Sequence, residues 1–97
     1  MHARVTKFQV QPDKVEEAIR IYQESVVPAA RQQPGFQSTL LLSDRAGGTG
    51  MAITVFESEA ALQASEASGY YQEQIAKFAP LLAAPPVRET YEVTVKA

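Results

Sequence analysis

The 97-residue sequence contains no cysteine. Disulfides, thiolate zinc sites and a thiol nucleophile are thereby excluded. Histidine is nearly missing as well. His2 is the only one, so no two-histidine metal site can form within one chain, and a Ser-His-Asp triad would have to recruit a residue at the extreme N-terminus. Positive charge is not in excess: 9 lysines and arginines against 11 acids leave a net charge of −2. That argues against nucleic acid as a partner, because gripping the phosphate backbone needs a basic face that displaces counterions. No apolar run approaches the roughly 18 residues that cross a bilayer. The opening stretch, MHARVTKFQV, alternates in polarity and does not form a signal-peptide core. These absences predict a cytoplasmic protein with no membrane and no nucleic-acid partner.

What is present suits one small domain. Hydrophobic residues make up 45% and charged residues 21%, an ordinary balance, and the length points to a single unit over residues 1–97. Residues 3–10 alternate with period two, placing Arg4, Thr6, Phe8 and Val10 on one side of a strand. Asp13 with Glu16 reads as a capping box, opening a helix whose buried stripe is Val15, Ala18, Ile19, Tyr22 and Val26. Pro28 should bend or loosen the last turns of that helix, and QQPG at 32–35 should stop it. Residues 36–43 and 51–57 read as strands joined by the glycine-rich loop DRAGGTG. The GGTG within it lacks the Lys-Ser/Thr of a phosphate loop and lies between strands, so it reads as a hairpin. Ser58 should cap a short helix to Ala67. Ser68 and Gly69 break the chain before another helix, on which Tyr71, Ile75, Phe78 or Ala79, and Leu82 share a face. Pro85 and Pro86 end that helix, and residues 87–95 form the last strand.

The order βαββαβ, with two right-handed crossovers around one hairpin, predicts an α+β ferredoxin-like antiparallel sheet with helices on one face. The other face should then be polar. Yet Leu40, Leu41 and Leu42 are consecutive, and Met51, Ile53 and Val55 share a face. This predicts a homodimer that stacks two sheets face to face. On the helix side, Arg4, Thr6 and Phe8 should meet Tyr22 and Phe56, with Tyr70 or Tyr71 entering after Gly69. Arginine and tyrosines are costly in a dry core unless each finds a partner. A partly apolar chamber with a few polar tips is therefore expected, suited to a flat, weakly acidic aromatic ligand.

With these residues in hand, the chain resembles the antibiotic biosynthesis monooxygenase family of dimeric α+β barrels. The resemblance rests on the first strand running into Gln11-Pro12, the passage from Val26 to Pro34-Gly35-Phe36, the third strand running into FESEAALQAS, and the last strand. It implies a dimer that oxidises phenolic or quinol-type substrates with O₂, without metal, flavin or other cofactor. Tyr70 would be a proton relay and Arg4 the oxyanion stabiliser, with Phe8, Phe56 and Phe78 shaping the chamber and Thr6, Tyr22 and Tyr71 also facing substrate. Departures are visible. Phe56 stands where the family often has tryptophan, and Ser65 and Tyr70 fall where it often has histidines. This speaks against a haem-degrading member and keeps open an alternative, a non-catalytic small-molecule-binding or structural homodimer.

Overall fold

A computed structural model describes all of residues 1–97. Four strands, β1 (His2–Gln9), β2 (Phe36–Ser43), β3 (Thr49–Phe56) and β4 (Val87–Glu92), form one antiparallel sheet in the order β2-β3-β1-β4. This is the ferredoxin-like α+β arrangement that the element order predicts. The sheet carries α1 (Val15–Ile21), α2 (Val27–Arg31), α3 (Glu59–Ala67) and α4 (Tyr70–Ala76).

Register decides what each face presents. Arg4 lies opposite Thr54 and Thr90, and Thr6 opposite Ala52 and Arg88. Because side chains alternate along a strand, these residues share the helix side. Phe8 lies opposite Gly50, and a Cβ there would stand 2.5 Å from the Phe8 ring. The glycine that ends GGTG thus leaves room for an aromatic ring. The rest of the loop is a tight turn: Asp44 Oδ1 accepts from the amides of Ala46 and Gly47, and Gln9 Nε2 donates to the Gly47 carbonyl at 2.8 Å.

Several local expectations are corrected. The capping box does not form. Pro12–Lys14 make a 3₁₀ turn closed by the Lys14 amide on the Gln11 carbonyl, 2.8 Å, so Asp13 sits inside the first turn and caps nothing. Glu16 pairs instead with Arg45 of the hairpin loop. Between α1 and α2 the chain widens into a π turn, Tyr22–Val26, in which the Val27 amide reaches back five residues to the Tyr22 carbonyl. Pro28 follows after Val27. A proline cannot donate, and its ring crowds the carbonyl four residues earlier; a widened turn relieves that crowding without ending the helix. Ser58 does cap α3, its Oγ accepting from the Ala61 amide at 3.1 Å. Gly69, at φ +87°, occupies the N-cap of α4, a left-handed conformation that glycine adopts without strain, while Ser68 Oγ donates to the Ser65 carbonyl at 3.3 Å and accepts from the Tyr70 amide at 3.4 Å. This kink turns α4 so that Tyr70 and Gln74 are its buried residues, while Tyr71, Ile75 and Phe78 are half-buried and Leu81, not Leu82, is the buried leucine. The last strand ends at Glu92, short of Val95.

One apolar cluster joins Val10, Val15, Ala18 and Leu81. The sheet face away from the helices is not polar. Leu40, Leu42, Val87 and Tyr91 are 58%, 48%, 55% and 53% exposed, and the register places Val5, Met51, Ile53 and Val55 among them. The ion pair of Lys7 with Glu89, at 3.0 Å, crosses this face.

Candidate functional site

A cavity of about 70 Å³ lies between the helix side of the sheet and the segment running from α1 through the π turn, with α4 as its other wall. Arg4, Thr6, Phe8, Tyr22, Tyr70, Tyr71 and Phe78 all line it. Phe56 does not, contrary to expectation. It is fully buried, and its ring centroid lies 5.5 Å from the Arg4 guanidinium carbon. At the end of β3 the sheet meets α3, so this ring fills core behind Arg4.

Arg4 is the only charged side chain lining the cavity, and it is 5% exposed. A buried guanidinium survives only with partners. Its Nη1 donates to Ser65 Oγ at 2.9 Å and to Glu66 Oε2 at 3.4 Å. Ser65 spends its own proton on the Leu62 carbonyl, 2.6 Å, which leaves its oxygen free to accept from Arg4. Glu66 is shared, since Arg88 Nη1 approaches its Oε1 at 3.4 Å. Both guanidinium carbons stand near the Tyr71 ring, 4.4 Å away for Arg4 and 5.4 Å for Arg88. Tyr71 is tied down at its other end, its Oη bonded to Thr6 Oγ1 at 2.9 Å. Burial lowers the Arg4 pKa, with Glu66, Tyr71 and Tyr70 acting in the opposite direction. An arginine starts so far above neutrality that it stays a cation.

The tyrosines differ in their freedom. The Tyr22 hydroxyl is committed to Thr39 Oγ1, which in turn bonds Thr54 Oγ1 at 3.0 Å. Tyr70 is 9% exposed and its Oη bonds no protein atom, yet no fully occluded polar side-chain atom lacks a partner. Its hydroxyl therefore faces open room. Burial pushes its pKa up, Arg4 pulls it down by less, and Tyr22 adds to the rise. A proton-abstracting tyrosine needs the opposite shift. Near neutral pH Tyr70 is a hydrogen-bond donor.

Three residues of this arrangement escaped the reading of the sequence, Glu66, Gln74 and Arg88, and a fourth, Ser65, was read only as a departure from the family pattern. Gln74 stands four residues after Tyr70, the one signal that puts it on the same helical stripe. Arg88 becomes visible only once the register sets it opposite Thr6. Among the four, only Gln74 lines the cavity itself. No three His, Asp or Glu residues converge as metal ligands, and no helix is long and apolar enough to cross a membrane.

Residues 1–77 match the antibiotic biosynthesis monooxygenase family. The chain belongs to that family. Its fold is similar to that of a Streptomyces coelicolor monooxygenase from the gene ActVA-Orf6, solved in complex with nanaomycin D, at a TM-score of 0.76 and 22% identity over 99% of this chain and 89% of that one. It is similar to SnoaB, a cofactor-independent oxygenase from Streptomyces nogalater, at 0.74 and 18%, covering 98% and 94%. NE2512 of Nitrosomonas europaea, a protein of unknown function, gives 0.77 and 24%, covering 99% and 91%. At these identities the likenesses establish fold. No curated protein matches the sequence.

Proposed function

We propose that this member of the antibiotic biosynthesis monooxygenase family oxygenates a small phenolic or quinol-type substrate with O₂, using no cofactor. The observation that carries the reading is the polarity of the chamber: apolar walls, one cation, no carboxylate and a tyrosine hydroxyl without a partner. Such a site favours a ring whose oxygen is anionic, because Arg4 and the Tyr70 O–H both stabilise negative charge there. Ionising the phenol makes the ring electron-rich. The proton leaves to solvent, because the chamber holds no base; the substrate anion then passes electrons to O₂, a C–O bond forms at a hydrogen-bearing ring carbon, and loss of water from the resulting hydroperoxide leaves C=O there, a quinone. One oxygen atom ends in product and the other in water. The protein's part is to hold the anion, supply the Tyr70 hydrogen bond and keep bulk water out. That the S. coelicolor protein is a monooxygenase and the S. nogalater protein a cofactor-independent oxygenase supports this class of chemistry.

The cavity is about 70 Å³, and a cavity of about 150 Å³ holds one benzene. A wall must therefore move on binding. Tyr71, Ile75 and Pro86 border both the cavity and a shallow outer groove that Arg88 helps to form, so the mouth is expected there. Oxygen uptake with a panel of hydroquinones tests the reaction. Uptake above the autoxidation rate, reduced in Tyr70→Phe, is the expected result; no uptake above that rate by either protein would sink it. A second reading, a binder without turnover, is favoured by Phe56 in place of the family's tryptophan and by the missing histidines. It predicts a ligand-induced rise in melting temperature with no product.

The apolar open face supports a further part of the reading, a homodimer with the two sheets stacked. Buried in a dimer, Leu40, Leu42, Val87 and Tyr91 would lose their contact with water.

A further inference from the structure

Gln74 stands out among the residues around the chamber. It is polar, 8% exposed, and lines the cavity from α4. Its Oε1 accepts from Lys77 Nζ at 2.8 Å, and the same ammonium donates to Ser25 Oγ of the π turn, also at 2.8 Å. An ammonium has no acceptor capacity. The end of the amide that meets Lys77 must therefore be the oxygen, and the free end must be the NH₂ group. That Nε2 bonds no protein atom, while every fully occluded polar atom has a partner. The amino group is therefore not fully occluded, and the cavity that Gln74 lines is the chamber. Leaving it unmatched while an apolar ligand fills the space would cost the desolvation of a buried donor.

We propose that Gln74 sets ligand specificity by donating a hydrogen bond to a carbonyl oxygen of the bound molecule, with Lys77 as the positioning residue that fixes which end of the amide faces the chamber. The inference rests on the phenol-binding reading above and narrows it to phenols that carry a ketone or quinone oxygen away from the hydroxyl. Arg4 and Tyr70 then take the phenol oxygen, and Gln74 takes the carbonyl.

Two one-ring probes of nearly equal size separate the claims: meta-hydroxyacetophenone, which has the ketone, and meta-ethylphenol, which lacks it. Their affinities are compared by NMR titration of the full chain, following the Gln74 side-chain amide resonances. Wild type should prefer the ketone by about threefold to tenfold, the range of one net hydrogen bond, and the Nε2–H signals should move with the ketone probe alone. In Gln74→Leu the ratio should fall to about one or below, since a ketone without a donor is penalised in an apolar site. Lys77→Met should lower the ratio part of the way. A Gln74 that only supports the fold would weaken both probes alike and keep the ratio. Equal binding of the two probes by wild type, or an unchanged ratio in Gln74→Leu, overturns the assignment and leaves the phenol chamber standing. Failure of both probes to bind removes the chamber reading and this inference with it.

Discussion

Replacing Leu40 by aspartate should break the proposed dimer, and the size of the effect can be worked from exposure. Leu40 is 58% exposed. Full burial of a leucine stabilises by ~1.5–3 kcal/mol, so covering what remains exposed contributes ~1–1.7 kcal/mol. A twofold interface uses each patch twice, so the loss is ~2–3.4 kcal/mol per dimer. At about 1.4 kcal/mol per factor of ten this raises Kd roughly 30-fold to 270-fold. The carboxylate adds to this, because it must lose water against a second apolar sheet. Sedimentation velocity over a concentration series measures the shift, with Gln72→Asp on the exposed side of α4 as the control. Leu40→Asp should dissociate at concentrations where wild type and control stay paired. A wild type that sediments as a 10.6 kDa particle at micromolar concentration, or a Leu40→Asp dimer as tight as the native one, refutes the reasoning.

Glu66→Gln should move stability and ligand affinity in opposite directions. Losing the carboxylate shared by Arg4 and Arg88 should cost about 1–2 kcal/mol in urea unfolding, less than for a fully buried pair because Arg88 is half exposed and glutamine still accepts a hydrogen bond; phenolate binding, read by titration, should tighten as the positive charge near the site rises. Tyr70 has a folded pKa raised above the unfolded ~10, so its contribution to stability is present below that pH and is lost as pH rises through the folded value. Lys7, raised by its hydrogen bond to Glu89, acts in the same sense, so the slope of melting temperature against alkaline pH should flatten in Tyr70→Phe without vanishing. Gly69→Ala should lower stability by ~1–2 kcal/mol through its positive φ alone, since a Cβ there meets nothing within 4 Å. Gly50→Ala should instead push the Phe8 ring into the cavity, seen as loss of phenol binding with the circular dichroism of the fold retained.

The fold was legible because period-two strands, helical stripes and turn clusters each constrain the chain locally, and only one arrangement satisfies all of them. What local pattern misread was geometry one step removed. Asp13 and Glu16 have the spacing of a capping box, but Pro12 closes a tighter turn first. Pro28 announces a disturbance in its helix, though not that the disturbance is a π turn displaced ahead of it. Gly69 announces a break, but the rotation it imposes exchanged the buried face of α4 from Tyr71 and Ile75 to Tyr70 and Gln74.

That rotation also explains which parts of the site could be read. Arg4, Thr6 and Phe8 were placed on the chamber side by strand alternation, which does not depend on where any helix packs. Phe56 shares that side by the same rule, yet it fills core, because at its end of the sheet α3 covers the strand and Leu62 packs to 1% exposure. Parity names a face; it does not say whether the space above is hollow. The partners of Arg4 follow from the opposite limit. Ser65 and Glu66 come from α3, and Arg88 on β4 reaches Glu66 from the far side, so they lie far from Arg4 in sequence and are tied to it only by the cost of burying a cation. A buried arginine in a strand thus predicts that a carboxylate and a hydroxyl must converge on it, and the fold decides which ones. Here it selected Ser65, whose proton is spent on the Leu62 carbonyl so that its oxygen accepts from Arg4, and Glu66 beside it, and together they hold the one charge in the chamber.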